Sequence, residues 1–216
     1  MRLYDSPISG NSYKVRLLLL HLDRPYDYVP VDILKGETRT PEFLRKNPTG
    51  QIPVLELDDG TCLAQSNAIL FHLAQGTKYF PRDLVDQTRV LQWLFFEQNS
   101  HEPSVANARF AIAIKKVERT GFNAELISMF HRQGNAALSV MDQYLQANDF
   151  FGRDFCIADI ALYAYTHQAG EGEFDLSRFP AVVAWLRRVE AQPRHMTLRQ
   201  WNDEYARRGG DWPRSS

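Results

Sequence analysis

GQIPVL, residues 50–55, sets a proline directly before a run that otherwise reads as a β-strand. Proline has no N–H to give a sheet ladder, so it belongs at a strand's first residue, at an edge or in a bulge. With Pro53 opening the strand Val54-Leu55-Glu56-Leu57, the Ile52–Pro53 bond becomes the feature to explain. A cis X–Pro bond marks a tight, position-specific turn. It would leave the backbone of Ile52 unpaired and facing outward, where some partner must bind it.

The flanks of this stretch alternate strand and helix. Downstream, strands at 53–57 and 61–64 enclose DDG, a strong hairpin turn signal. Ser66 then begins a helix with Ile69, Leu70 and Leu73 as its buried stripe. Upstream, TPEFLRKN (40–47) reads as a short helix with Thr40 as N-cap and Pro41 at its first position. YDYVPV (26–31) reads as a strand, and residues 2–4 as another. Between them, from about residue 12, Val15, Leu18, Leu19 and Leu22 repeat at helical spacing. The order is βαβαββα, a right-handed parallel crossover joined to an antiparallel hairpin. QGTKYFPRD (75–83) is a linker by composition. Beyond it, residues 84–113, 123–146, 157–170 and 180–191 read as helices, with no convincing strand. The expected class is α/β plus all-α: a first domain over 1–75, a linker over 76–83, and a helical bundle over 84–216.

Composition narrows the function classes. The 216 residues are 44% hydrophobic and 24% charged, ordinary for a soluble globular protein. A net charge of -1 and a pI near 6.6 give no sign of nucleic acid or an anionic membrane as partner. Arg207, Arg208 and Arg214 lie in a Gly-rich end, RRGGDWPRSS, that reads as solvated. Two cysteines, Cys62 and Cys156, make no disulfide framework and suit a reducing compartment. The polar stretch ahead of LLLL argues against a signal peptide, and no stretch has the length of a membrane span. A cytoplasmic location follows as the expectation.

Three loop features converge if 1–75 folds as βαβαββα. The loop SPISGNSYK leads from the first strand into the first helix, the turn before Pro53 opens the third strand, and Gln65-Ser66 ends the fourth. Ser66 at a helix N-terminus reads either as an N-cap worth about 1 kcal/mol or as a carboxylate site. Ser9, Asn11 and Ser12 likewise fit turn and cap roles. The histidines are scattered, with no metal-ligand spacing such as HExxH, so no metal site is expected. EQNSHEP (97–103) concentrates Glu97, Gln98, His101 and Glu102 on one helix, where they would line a cleft or a dimer interface. Of Phe110, Phe122, Tyr163 and Tyr165, most should be core, with one or two bordering an apolar pocket.

QIPVL followed by QSNAI after a DG hairpin, then a helical second half, closely resembles the glutathione transferase superfamily, from residue 1 to about residue 200. The resemblance implies a thioredoxin-like first domain with a cis Pro53. It implies that the backbone of Ile52 pairs with the cysteinyl part of glutathione like an added strand. Gln65 and Ser66 would hold the γ-glutamyl end, and Gln51 would contact the peptide. Lys35 would reach the glycyl carboxylate or stay solvated. The activating residue follows the bacterial serine-type and nu-like members: Ser9, with Asn11 two positions on and Ser12 as competitor. Tyr4 on the first strand and Tyr13 in the helix do not match the tyrosine classes, and no cysteine precedes residue 62. The implied function is a dimeric cytoplasmic transferase that conjugates glutathione, its co-substrate, to electrophilic, partly apolar small molecules bound against the helical domain, as in detoxification. The alternatives are a glutathione-dependent disulfide reductase and a non-catalytic binding or regulatory protein. One departure stands out: where the family's helical domain carries Ser or Thr in a capping box with Asp, GRDFCIAD offers Cys156 with Asp159.

Overall fold

The computed structural model describes residues 1–208; Arg214 lies outside them. The described chain divides into two compact units, Met1–Gln75 with the segment from Pro193 on, and Gly76–Gln192.

In the first unit, β1 (Arg2–Asp5) and β2 (Asp27–Pro30) pair in parallel, connected through the helix α1 (Gly10–Leu22). The helix α2 (Pro41–Lys46) follows, capped by the Thr40 side chain as its sequence predicts. β3 (Val54–Glu56) runs antiparallel to β1, and β4 (Cys62–Ala64) antiparallel to β3, giving the order β2-β1-β3-β4. Helix α3 (Ser66–Ala74) completes βαβαββα. The hairpin closes at DDG, where Gly60 adopts φ 86°. Successive strand residues face opposite sides of a sheet. Tyr4 and Val54 share one side and pack with Phe43 of α2 and with Val31, the Tyr4 and Phe43 rings edge to face at 6.3 Å. Leu3, Asp5 and Leu55 take the other side, where Arg16 of α1 meets Asp5 in a fully buried ion pair at 2.9 Å.

The second unit is helical. It contains α4 (Leu84–Phe96), α5 (Glu102–Arg109), α6 (Gly121–Leu145), α7 (Ile157–Thr166) and α8 (Pro180–Glu190). The long helix expected over 84–113 is interrupted by π-turns at Glu97–His101 and Phe110–Ile114. Pro103, which has no N–H to donate, sits at the start of α5 just beyond the first of these turns. Every residue of α7 is buried. Asp159 near its start is the hub of the core, accepting from the N–H groups of Phe151 and Cys156 at 3.0 Å each and from the Trp185 indole at 2.8 Å. The Cys156 thiol donates to the same carboxylate at 3.3 Å. Burial outweighs these donors and raises the Asp159 pKa to about 6. At α8, Pro180 opens the helix and Asp142 of α6 accepts from the N–H groups of Ala181 and Val182. Gly134 of α6 lets the Phe174 ring approach closely, since a Cβ there would lie 2.5 Å from it.

The last described helix, α9 (Leu198–Arg207), has no counterpart in the sequence reading, which assigned 84–216 to the helical domain. It packs on the first unit: Trp201 is fully buried with the Arg16 guanidinium 3.9 Å over its ring, and the Tyr13 hydroxyl donates to the Met196 carbonyl at 2.7 Å. The overlooked signal is a capping box, Thr197 with Gln200.

Candidate functional site

The register of the sheet sets the site. Tyr4 opposite Val54 and Val54 opposite Ala64 place the end of β1, the start of β3 and the end of β4 side by side. Each of these ends runs into one of the three loop features, SPISGNS, GQIP and QS.

The Ile52–Pro53 bond is cis. Neither the N–H nor the C=O of Ile52 finds a hydrogen bond among the described residues, so its backbone stands open to an extended partner. The preceding turn is tied down by residues that the sequence reading missed. Asn47 donates its amide to the Gln51 carbonyl at 2.7 Å and accepts from the N–H and hydroxyl of Thr49. Arg39 donates to the Thr49 carbonyl at 3.0 Å and lies against Gly50, whose φ of 61° and lack of a side chain let the turn close. The Asn-Pro pair at 47–48 was the available signal for Asn47; nothing local marks Arg39. Gln51 itself is exposed.

Gln65 is exposed and holds φ 69°, ψ 112°, a conformation uncommon for a residue with a side chain. Its own side chain caps nothing, so the amide stays available at the start of α3. Ser66, the next residue, is buried, and its hydroxyl donates to Asn11 Oδ1 at 3.3 Å while accepting from Lys14 Nζ at 3.4 Å. The starts of α1 and α3 therefore meet at one hydroxyl. Ser9 caps α1, its oxygen accepting from the Ser12 N–H at 3.2 Å, and its own proton remains to donate elsewhere. Because Ser9 is the cap, the helix starts at Gly10 and not at 12. Ser12 is fully buried, its hydroxyl near enough to Asp5 to favour that group's carboxylate form. Lys35 is exposed and ion-paired with Asp32 at 3.2 Å; no hydrogen bond or ion pair joins it to the other candidates.

Neither tyrosine near this site offers a hydroxyl to a ligand. Tyr4 donates to Glu56 at 2.8 Å, and Tyr13 is fully buried on the Met196 carbonyl. The cysteines do not supply a thiolate: burial raises the pKa of Cys62 and pushes that of Cys156 well up. Glu97 and His101, expected at a cleft or an interface, are fully buried inside the second unit, where His101 Nε2 contacts the Thr166 hydroxyl at 2.9 Å. Tyr163 and Tyr165 are core, whereas Phe110 and Phe122 are exposed, the latter by 75%. Among the described residues no group of three or more His, Cys, Asp or Glu is placed to hold a metal.

The second unit has a cavity of about 800 Å³ walled by Trp93, Phe96, Tyr144 and Phe151. Its Arg89 and Arg153 both pair with Asp86, at 3.2 and 2.8 Å. None of the candidate residues of the first unit lines it.

Comparison with known proteins identifies the family. The glutathione S-transferase N-terminal domain family matches residues 1–75, and the C-terminal domain family matches residues 117–193. A solved glutathione S-transferase from Pseudomonas fluorescens Pf-5 is 49% identical, with a TM-score of 0.89 over 91% of this chain and 98% of its own. The chain belongs to the glutathione S-transferase family. Another similar structure, a glutathione transferase from Burkholderia graminis, was solved with two glutathione molecules bound per subunit. It is 26% identical, with a TM-score of 0.79 over 89% of this chain and 84% of its own. The disulfide-bond oxidoreductase YfcG of Escherichia coli K12 is 29% identical over 208 residues, 88% of this chain and 90% of its own.

Proposed function

We propose that this protein is a glutathione transferase that binds the tripeptide on its first unit and presents the thiolate to small, partly apolar electrophiles. The observation that carries this reading is the hydrogen bond from Ser66 to Asn11 beside the open backbone of Ile52, because it joins a carboxylate-binding helix start to the residues that would face the sulfur. In this reading Ile52 pairs with the cysteinyl backbone, Pro53 shapes the turn that presents it, and Gln51 borders the peptide. Gln65 and Ser66 hold the γ-glutamyl end. Lys35 takes the glycyl carboxylate by exchanging it for Asp32; an exposed ion pair contributes only about 0–1 kcal/mol, so the exchange costs little.

Free glutathione has a cysteine-like thiol with a pKa near 8.5, so only about 3% is thiolate at pH 7. The Ser9 hydroxyl, the Asn11 amide and the first N–H groups of α1 favour the anion, helped by the helix dipole. Lowering the thiol by about two units requires roughly 2.7 kcal/mol of preferential thiolate binding, within reach of two or three good hydrogen bonds. The sulfur then attacks the electrophilic carbon, the leaving group departs with its electron pair, and the thiol proton passes to water. No protein nucleophile takes part. Ser12 has no direct part in this scheme because it is fully buried.

The similarity to YfcG favours a second reading, in which the thiolate attacks a disulfide sulfur and a second glutathione resolves the mixed disulfide, yielding oxidised glutathione and two thiols. Turnover across a panel of model electrophiles and small disulfides decides between them. Conjugation supports the transferase, turnover of disulfides alone supports the reductase, and tight glutathione binding without any turnover supports a binding protein. The proposal includes a cytoplasmic homodimer. No helix among the described residues is long and apolar enough to cross a membrane, and α4 exposes Leu84, Val85 and Phe95, apolar surface that a second copy would cover. Sedimentation should return twice the chain mass.

A further inference from the structure

Lys14 is fully buried on α1, a position where an aliphatic side chain would fill the same space without removing a charge from water. Burying an ammonium costs several kcal/mol unless dipoles or anions compensate it. Its amine lies 3.4 Å from the Ser66 hydroxyl, which lies 3.3 Å from Asn11 Oδ1. An ammonium can only donate. The Ser66 oxygen must therefore accept on that side, and its proton must go outward, here to Asn11. A carboxylate arriving from outside can take over this proton, because the Asn11 amide, turned over, donates to the second lone pair of the same oxygen.

Resting on the glutathione reading above, we infer that Lys14 is a positioning residue that keeps the Ser66 hydroxyl a donor and so makes this end of the site select a carboxylate. A γ-glutamyl α-carboxylate arriving at α3 meets that hydroxyl, the first N–H groups of the helix and a positive charge one hydroxyl deeper. All three favour an anion. A primary amide in the same place gains nothing from the charge, and its NH₂ faces donors. Lys14 does not touch the ligand; it acts through Ser66.

The test is calorimetric titration of the full chain and of Lys14→Met and Lys14→Arg with two ligands, glutathione and its analogue carrying a primary amide at the γ-glutamyl α-carboxylate. Lys14→Met should weaken glutathione about tenfold and the amide no more than about twofold, so that the preference between them shrinks. Lys14→Arg, which restores a buried donor cation, should keep most of the preference. Equal losses for both ligands would reduce Lys14 to a packing role and overturn the inference, as would an unchanged preference in Lys14→Met. Should Lys14→Met fail to fold by circular dichroism, Lys14→Gln, which can accept as well as donate, carries the same comparison and the same expected loss. Parent protein that binds no glutathione would remove the functional reading itself, and this inference with it; parent that binds glutathione while the variants keep full preference would remove the inference alone.

Discussion

Two helix starts in each unit are finished in opposite ways. In the second unit, the first N–H groups of α8 and the N-cap N–H of α7 are answered by buried carboxylates, Asp142 and Asp159. In the first unit, α1 and α3 begin with Ser9 and with Gln65-Ser66, whose Ser9 proton and Gln65 amide stay uncommitted among the described residues. An internal carboxylate closes a helix start and makes it structural. A start left with hydroxyls and outward N–H groups is a place for an incoming anion. The difference separates a residue whose loss should unfold the protein from one whose loss should empty the site.

The sharpest way to break that comparison is Asp159→Ala. It leaves two buried N–H groups and an indole without their acceptor, so the cost should be about 3–5 kcal/mol in denaturant unfolding. Glutathione affinity per folded molecule should not change; a specific loss of binding would mean that the closed starts also serve the site. Ser66→Ala should weaken glutathione by roughly 10–30-fold and cost less in unfolding, about 1–3 kcal/mol, because it also removes an acceptor of the buried Lys14 amine. Ser9→Ala should leave affinity within a few-fold yet raise the bound thiol's pKa by about one unit, read from thiolate absorbance against pH. No shift in Ser9→Ala would transfer the role to Asn11 or to backbone donors.

A smaller effect tests the closed starts through pH. The Asp159 pKa is raised to about 6 from an ordinary 3.8, so the folded state binds its proton more tightly than the unfolded chain. Stability from this group is present below the unfolded pKa and is lost as pH rises through about 6, which makes the protein more stable at pH 5 than at pH 7 by about 1 kcal/mol from Asp159 alone. His167 opposes it: burial lowers its pKa to about 4, so its contribution is lost as pH falls from the ordinary histidine range toward that value. The slope of parent minus Asp159→Asn between pH 5 and 7 isolates the aspartate and should carry the positive sign toward acid. The smallest effect belongs to Cys156→Ser, which keeps a donor to Asp159 and should retain full activity with equal or higher stability; a large activity loss in the folded variant would reassign the chemistry.

Most of the first unit was legible because its signals are short-range. The Pro53 turn, the DDG hairpin, the Thr40–Pro41 helix start and the apolar stripe of α3 each depend on residues a few positions apart, and the structure places all four where those spacings predict. The candidates Ser9, Asn11, Gln65 and Ser66 were visible for the same reason, as cap and turn residues at strand ends. Less was legible where burial decides. Ser12 reads as a competitor of Ser9, yet Ser9 caps the helix from outside it while Ser12, within the first turn, is fully buried. Glu97 and His101 read as cleft residues because charged groups are rarely fully buried, and here they are.

The sequence by itself determined the βαβαββα order, the turn before Val54, the helical second half and the loops that carry the candidate site, because propensity, capping and periodicity act between neighbours along the chain. Only the tertiary structure decided that Ser66 meets Asn11 and Lys14, 55 and 52 residues away, that Tyr13 reaches Met196 across 183 residues, and that α9 returns to the first unit under the Arg16 guanidinium. Contacts at such separations depend on which faces pack together and which charges find partners once water is excluded. That choice is made by the whole fold, and no short stretch of sequence contains it.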